Sequence, residues 1–137
     1  MTNSVLTFVD ASVLIYAASK PTAATLARRL KALQVLGDPE RHFLASEFLR
    51  LEVLPIPIYY KRSREKSFYE RFFQAASLWA DGERLIQPAF RIATQFALGA
   101  MDALHVAAAA EYGAELVSAE KPSKPIYRAY SNISSIY

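Results

Sequence analysis

Short β-branched and aromatic runs alternate with amphipathic stretches along this chain, and that alternation predicts an α/β protein. Val5 to Val9 (VLTFV) reads as a buried strand; Asp10 stops it, and Ala11 to Ala18 continues as a turn or two of helix. Lys20-Pro21 breaks the chain. Thr22 to Leu36 then places Leu26, Leu30, Leu33 and Leu36 on one helical face, with Arg28, Arg29 and Lys31 elsewhere on the helix surface. Gly37 ends that helix, Asp38-Pro39 makes a turn, and His42 to Ala45 reads as a second strand. Strand, helix, strand in this order argues for parallel pairing through a right-handed crossover.

Ser46 is placed to cap a third helix, SEFLRLEVL, with Phe48, Leu51 and Leu54 as its apolar stripe and Glu52 beside that stripe. Pro55 and Pro57 end or kink it near Leu54. A basic turn follows, Tyr59 to Lys66, and then a helix from Ser67 to Trp79 with Tyr69, Phe72, Phe73, Ala76 and Trp79 as its packing residues. Asp81-Gly82 signals a turn, Leu85-Ile86 reads as a short third strand, and Pro88 suits the first position of a helix running to about Leu98. The stretch Leu98 to Lys124 is an αβ unit: Gly99, then Asp102 at the head of an alanine-rich helix, Gly113 as its stop, a strand from Glu115 to Ser118, and a Pro-containing loop carrying Glu120. Ser131 to Tyr137 alternates polar and apolar residues and reads as a last edge strand. With no repeat or linker, residues 1–137 form one α/β domain with four or five strands.

Composition narrows the class. The chain is 53% hydrophobic and 21% charged, the balance of a globular protein. It has no cysteine, which excludes disulfides and thiolate metal sites and is compatible with a reducing cytoplasm. The opening MTNSVLTFVD lacks the basic start and apolar core of a secretion leader. No apolar run is long enough to span a membrane. A net charge of +3 permits a polyanionic partner without requiring one.

Four acidic residues stand out by position: Asp10 after the first strand, Glu52 on the third helix, Asp102 at a helix start and Glu120 past a strand. Two of them have a plain alternative. Asp10 reads equally as a helix cap, a job Ser12 can share, and Glu52 reaches either past its stripe to water or into a cleft. In a parallel sheet, strand ends and the starts of the following helices share one edge, so Asp10, Asp102 and Glu120 can converge there with Glu52 reaching in. Clustered carboxylates repel and raise one another's pKa unless a cation neutralises them. Hard oxygen donors without cysteine or a histidine pair point to Mg²⁺ or Mn²⁺, the metals of phosphodiester hydrolysis. His105, one position round the helix from Asp102, fits packing or hydrogen bonding better than a role as base. The alanines at 107 to 110 read as close helix packing.

The segments FVDASVLIYAA, SEFLRLEVL and AMDALHVAAAAEYGAELVSAE resemble the PIN-domain family, in the form found in VapC-type toxin ribonucleases. The likeness runs over essentially the whole length. It implies a three-layer α/β/α sandwich around a central, mostly parallel sheet. It also implies metal-dependent RNA cleavage at Asp10, Glu52, Asp102 and Glu120, with Ser12 and Ser118 in support, inhibition by a cognate antitoxin, and a homodimer in the cytoplasm. The family's usual Thr-x-Asp reads Ser118-Ala119-Glu120 here, one methylene longer at the carboxylate.

Arg50, Lys61, Arg62, Arg64 and Lys66 are the expected RNA contacts, though the basic turn with its two tyrosines reads equally as a solvated hairpin tip. Lys121 and Lys124 flank Glu120, where they either bind phosphate or offset the acidic cluster. Two other functions compete. One is a PIN-fold module that binds RNA or protein with weak or lost catalysis, because Glu120 replaces the usual Asp. The other is a small-substrate phosphohydrolase, which lacks a phosphate-cradling glycine loop in this sequence.

Overall fold

A computed structural model describes residues 4–137; residues 1–3, part of the opening stretch read for a leader, lie outside the described residues. Five strands form one sheet in the order β3-β2-β1-β4-β5, every pair parallel: β1 (Val5–Val9), β2 (Arg41–Ala45), β3 (Leu78–Trp79), β4 (Glu115–Ser118) and β5 (Ile133–Ser135). The expected sheet is therefore wholly parallel.

The first half of the chain supplies α1 (Ala11–Ala18), α2 (Leu26–Leu36), α3 (Glu47–Val53), the short α4 (Pro55–Tyr59) and α5 (Ser63–Ala75). The second half supplies α6 (Glu83–Phe96), α7 (Ala100–Tyr112) and α8 (Ile126–Ala129). From β1 the chain winds one way to β2 and β3, and β4 then starts a run the other way to β5. Right-handed crossovers consequently put α1–α5 on one face and α6–α8 on the other. The packing agrees: α1 lies against α2, α3 and α5, while α6 lies against α7 and α8.

β1 is the middle strand, and Phe8, Val9, Leu44, Leu116 and Val117 on β1 and its neighbours are all buried. The N-terminal edge of the sheet is pinned by Arg41, which donates to Thr7 Oγ1 at 2.8 Å and pairs with Glu115 at 2.6 Å, so one guanidinium ties β2, β1 and β4 together. Tight α6–α7 contact follows from the alanines of α7, of which Ala107, Ala108 and Ala109 are buried and Ala110 is exposed. Gly113 ends α7 in the left-handed region at φ 68°, where a side chain would be strained.

The reading of the middle of the chain needs correction. Leu85-Ile86 is not a strand; both residues lie in α6, whose buried face is Leu85 and Ala89 with Ile92 half-buried below them. Pro88 is inside α6, not at its start. The third strand is Leu78–Trp79, against Leu44 and Ala45, so α5 runs from Ser63 to Ala75 and does not reach Trp79. Tyr69, Phe72, Phe73, Ala76 and Trp79 keep helical spacing, and a two-residue edge strand has too little sequence to announce itself.

On α2 the helix begins at Leu26, after a turn at Thr22–Thr25, and Leu26 and Leu30 are exposed while Ala32 is buried. Its arginines are half-buried rather than free, Arg28 bonding Tyr16 Oη at 3.2 Å and lying 4.0 Å from the centre of the Tyr137 ring. On α3 the buried face is Leu49 and Val53, and Leu51 is 66% exposed. Pro55 does end α3 near Leu54, but it also starts α4, where a proline's missing N–H costs nothing. The helical turn α8 had no signal in the sequence reading.

Tyr69 gives this core a pH signature. Burial, with the Glu65 carboxylate nearby, pushes its phenol up to about 12. An unfolded tyrosine ionises near about 10, so stability from this group is full below that pH and is lost as pH rises toward 12. Tyr69→Phe is expected to remove this alkaline loss. Urea unfolding of both proteins at pH 9 and pH 11 checks it: the variant should gain on wild type by up to ~1.4 kcal/mol per pH unit above 10.

Candidate active site

Because the strand order reverses between β1 and β4, the carboxyl ends of those two strands form the switch point where α/β sheets bind ligands. Asp10 ends β1 there. It is 3% exposed and caps α1, accepting from the Val13 amide at 3.4 Å and from the Ser12 hydroxyl. The cap reading is thus correct for Asp10 and leaves its carboxylate buried at the switch point, whereas Ser12 caps nothing and instead bonds Asp10 and the Ala119 amide. Burial raises the pKa of Asp10; the Ser118 and Ser12 hydroxyls, His105 and the Val13 amide offset part of that rise.

β4 delivers the facing segment. Ser12 Oγ accepts from the Ala119 amide at 3.0 Å, which ties the end of β4 to the start of α1. Ser118 is buried and its Oγ accepts from the Glu120 amide at 3.1 Å. The Glu120 carbonyl accepts from Tyr127 Oη at 2.6 Å and from Ser135 Oγ at 3.2 Å, so α8 and β5 fix the backbone that carries this carboxylate. Tyr127 was missed from sequence because its role depends on α8.

Asp102 sits in the first turn of α7, after Gly99 as N-cap, where the helix dipole favours a negative group. Its pKa is raised, chiefly by burial; His105 lowers it, and the carboxylates of Glu120 and Glu52 raise it. Asp102, Glu120 and Lys124 line one small cavity of about 240 Å³.

Glu52 comes from the other layer, since α3 meets α7 beyond the sheet edge. Its side chain is 32% exposed and its Oε1 lies 2.7 Å from His105 Nε2. His105 is 1% exposed, with its ring centre 5.2 Å from that of Phe8. Its Nδ1 is buried with no partner among the described residues. Facing a carboxylate, the Nε2–H donates to Glu52. His105 therefore both packs and hydrogen-bonds, as expected from sequence, but its partner could not be read there. His105→Phe keeps a ring against Phe8 and releases Glu52. Expected is a loss of activity of about 10–100-fold, the range for outer-shell partners, with an unchanged far-ultraviolet spectrum. Activity equal to wild type would contradict the role.

The donor set suits a hard divalent cation: carboxylates only, repelling one another at Asp102, with the nearby histidine turned to Glu52. As the side chains stand, no three Asp, Glu or His among the described residues are gathered closely enough to chelate one.

The basic residues are spread more widely. Arg50 is exposed and paired with Glu47 at 3.6 Å, and Lys66 meets Glu70 at 4.0 Å. Lys61 holds a positive φ of 56° in the turn before α5, and Arg62 stacks 5.1 Å from the Tyr60 ring centre. Arg64 is exposed, and Lys121 lies 5.9 Å from the Tyr137 ring centre.

The PIN domain family model matches residues 7–122. This chain belongs to the PIN-domain family. Solved structures with the same fold include a toxin–antitoxin complex from Klebsiella pneumoniae (TM-score 0.69, 16% identity, 98% of each chain covered). VapBC2 from Rickettsia felis, bound to a DNA fragment from its promoter, matches at TM-score 0.68 and 14% identity over 96% of this chain and 98% of that one. PAE2754 from Pyrobaculum aerophilum matches at 0.64 and 14%, over 97% and 92%. No curated protein matches the chain. At such identities the likeness carries the fold of this PIN domain, and its chemistry rests on the residues above.

Proposed function

We propose that this PIN domain is a metal-dependent endoribonuclease that hydrolyses RNA phosphodiester bonds at Asp10, Glu52, Asp102 and Glu120, as the toxin of a toxin–antitoxin pair. The observation that carries the reading is geometric: Asp10 is buried at the carboxyl end of β1, and Asp102 lines one cavity with Glu120, which lies just past the carboxyl end of the neighbouring β4. Repelling carboxylates in one place are a cost that a bound cation relieves. Asp10 and Asp102, fixed by a cap and a helix start, are the firmest ligands for Mg²⁺ or Mn²⁺, with Glu120 and Glu52 completing the set. Such a cation would activate water and screen the phosphate. Ser12 and Ser118 hold the Asp10 and Glu120 segments together, and His105 orients Glu52. Lys124, in the cavity with Asp102 and Glu120, is placed to meet a substrate phosphate.

The toxin assignment draws on the solved toxin–antitoxin complexes of the same fold. Among the described residues no single helix is long and apolar enough to cross a membrane; the proposed site of action on RNA is the cytoplasm. A homodimer and an antitoxin partner belong to the same reading. Induced expression tests it: wild type should arrest growth and Asp102→Asn should not, with both accumulating equally. Equal arrest by the two would sink it. The lack of a ready chelating trio among the described residues favours one other reading, a PIN module that binds RNA or protein without efficient cleavage. For that module, growth arrest would not depend on Asp102.

A further inference from the structure

A cavity of about 760 Å³, separate from the site carboxylates, lies between the α1–α2 loop and the start of α5. Five cations line it, Lys20, Arg29, Arg62, Arg64 and Arg71, against one carboxylate, Glu65. None of the five is ion-paired among the described residues. Arg29 is the most telling. Its Nε is buried with no hydrogen-bond partner, although guanidinium donors taken out of water are ordinarily satisfied. From sequence Arg29 lies on the helix surface away from the leucine face; in the fold it lines this cavity.

We infer that the cavity is a phosphate pocket that grips the RNA backbone next to the cleavage site, an inference that rests on the RNA-cleaving reading above. Converging guanidiniums offer forked donors that match phosphate oxygens, and Arg29 Nε has no protein acceptor among the described residues to hold that side chain elsewhere. The first amides of α5 face no side-chain cap, which adds positive potential at the same wall. Location favours RNA over an acidic protein segment. α2 and α5 run into the parallel strands β2 and β3, so their starts lie on the same side of the sheet as Asp10 and Glu120. A polymer held at the carboxylates therefore has further phosphates to present to this pocket. Tyr60, stacked with Arg62 at the rim, offers a face for a base.

The test uses a short labelled single-stranded RNA and fluorescence anisotropy across a salt series, in chelator, with Asp102→Asn protein as the uncleaving parent. Adding Arg29→Gln and Arg71→Gln is expected to weaken binding about tenfold and make the log–log salt slope shallower by about 1.4, two phosphates at ~0.7 each. Arg84→Gln with Arg91→Gln makes the same change in net charge on α6 and should leave the slope unaltered. Ser63→Glu guards against misfolding. It puts a carboxylate at the start of α5, where the helix dipole favours it, yet it should weaken RNA binding as the double variant does. RNA binding by the parent that neither Ser63→Glu nor the double variant changes overturns the pocket alone. No RNA binding by the parent overturns the pocket together with the reading beneath it. Lost affinity for a polyglutamate peptide, with RNA binding intact, would assign the cavity to an acidic protein segment and also overturn the proposal.

Discussion

Phe8→Ala is expected to lower stability by about 3–5 kcal/mol, the range for emptying a large buried aromatic site. Domains of this kind are stable by only about 5–15 kcal/mol, so the change removes a large share of the total. Phe8 is wholly buried on the middle strand, paired in register with Leu116 of β4. Its ring also supports His105, which holds Glu52. The loss should therefore appear twice. Urea unfolding should show a lower midpoint with an unchanged slope, and activity measured well below the melting temperature should fall as it does in His105→Phe. A stability change under ~1 kcal/mol would mean that β1 is not the centre of the core.

Asp10→Asn is expected to act in opposite directions on folding and on chemistry. Burial raises the pKa of Asp10 above the ordinary carboxylate value of 3.8. Stability from such a group is full below the unfolded value and is lost as pH rises through the raised folded value. At neutral pH, above the unfolded value, the raised pKa is a cost to the native protein without metal. Asparagine keeps an oxygen for the Val13 amide and Ser12 and removes the titrating group, so the melting temperature in chelator should rise. Added Mn²⁺ should stabilise wild type, by ~2.7 kcal/mol at about 100 times its Kd, and should do much less for the variant. RNA cleavage should fall by more than about 100-fold, beyond the range for outer-shell partners. A variant that melts lower in chelator would show the carboxylate to be a structural cap and nothing more.

The sequence was most informative where one residue has one strong local job. Asp10 and Ser46 cap helices through their own side chains, Gly113 takes a left-handed stop, and β1 and β4 are apolar runs bounded by such signals. Asp10, Asp102 and Glu120 could be grouped from sequence because strand ends and helix starts of a parallel sheet share an edge, whereas Glu52, late in α3, does not follow from that rule.

What failed needed tertiary context. Leu85-Ile86 looks like a strand in isolation and is one turn of a helix whose face is Leu85 and Ala89. β3 is only two residues long and exists because β2 offers it an edge. The faces of α2 and α3 were misjudged because leucine spacing shows which residues can share a face, not which face finds a neighbour; Leu30 and Leu51 found none. The cavity around Arg29 and the bond from His105 to Glu52 join residues far apart in the chain, so no local pattern announces them.

The central claim is tested most directly by cleavage of a structured RNA with Mg²⁺ or Mn²⁺, using wild type and Asp102→Asn purified in parallel. The account predicts cleavage by wild type that needs the metal and is lost in the variant, whose fold should be unchanged. Equal cleavage by both, or none by either across several RNAs, would contradict it.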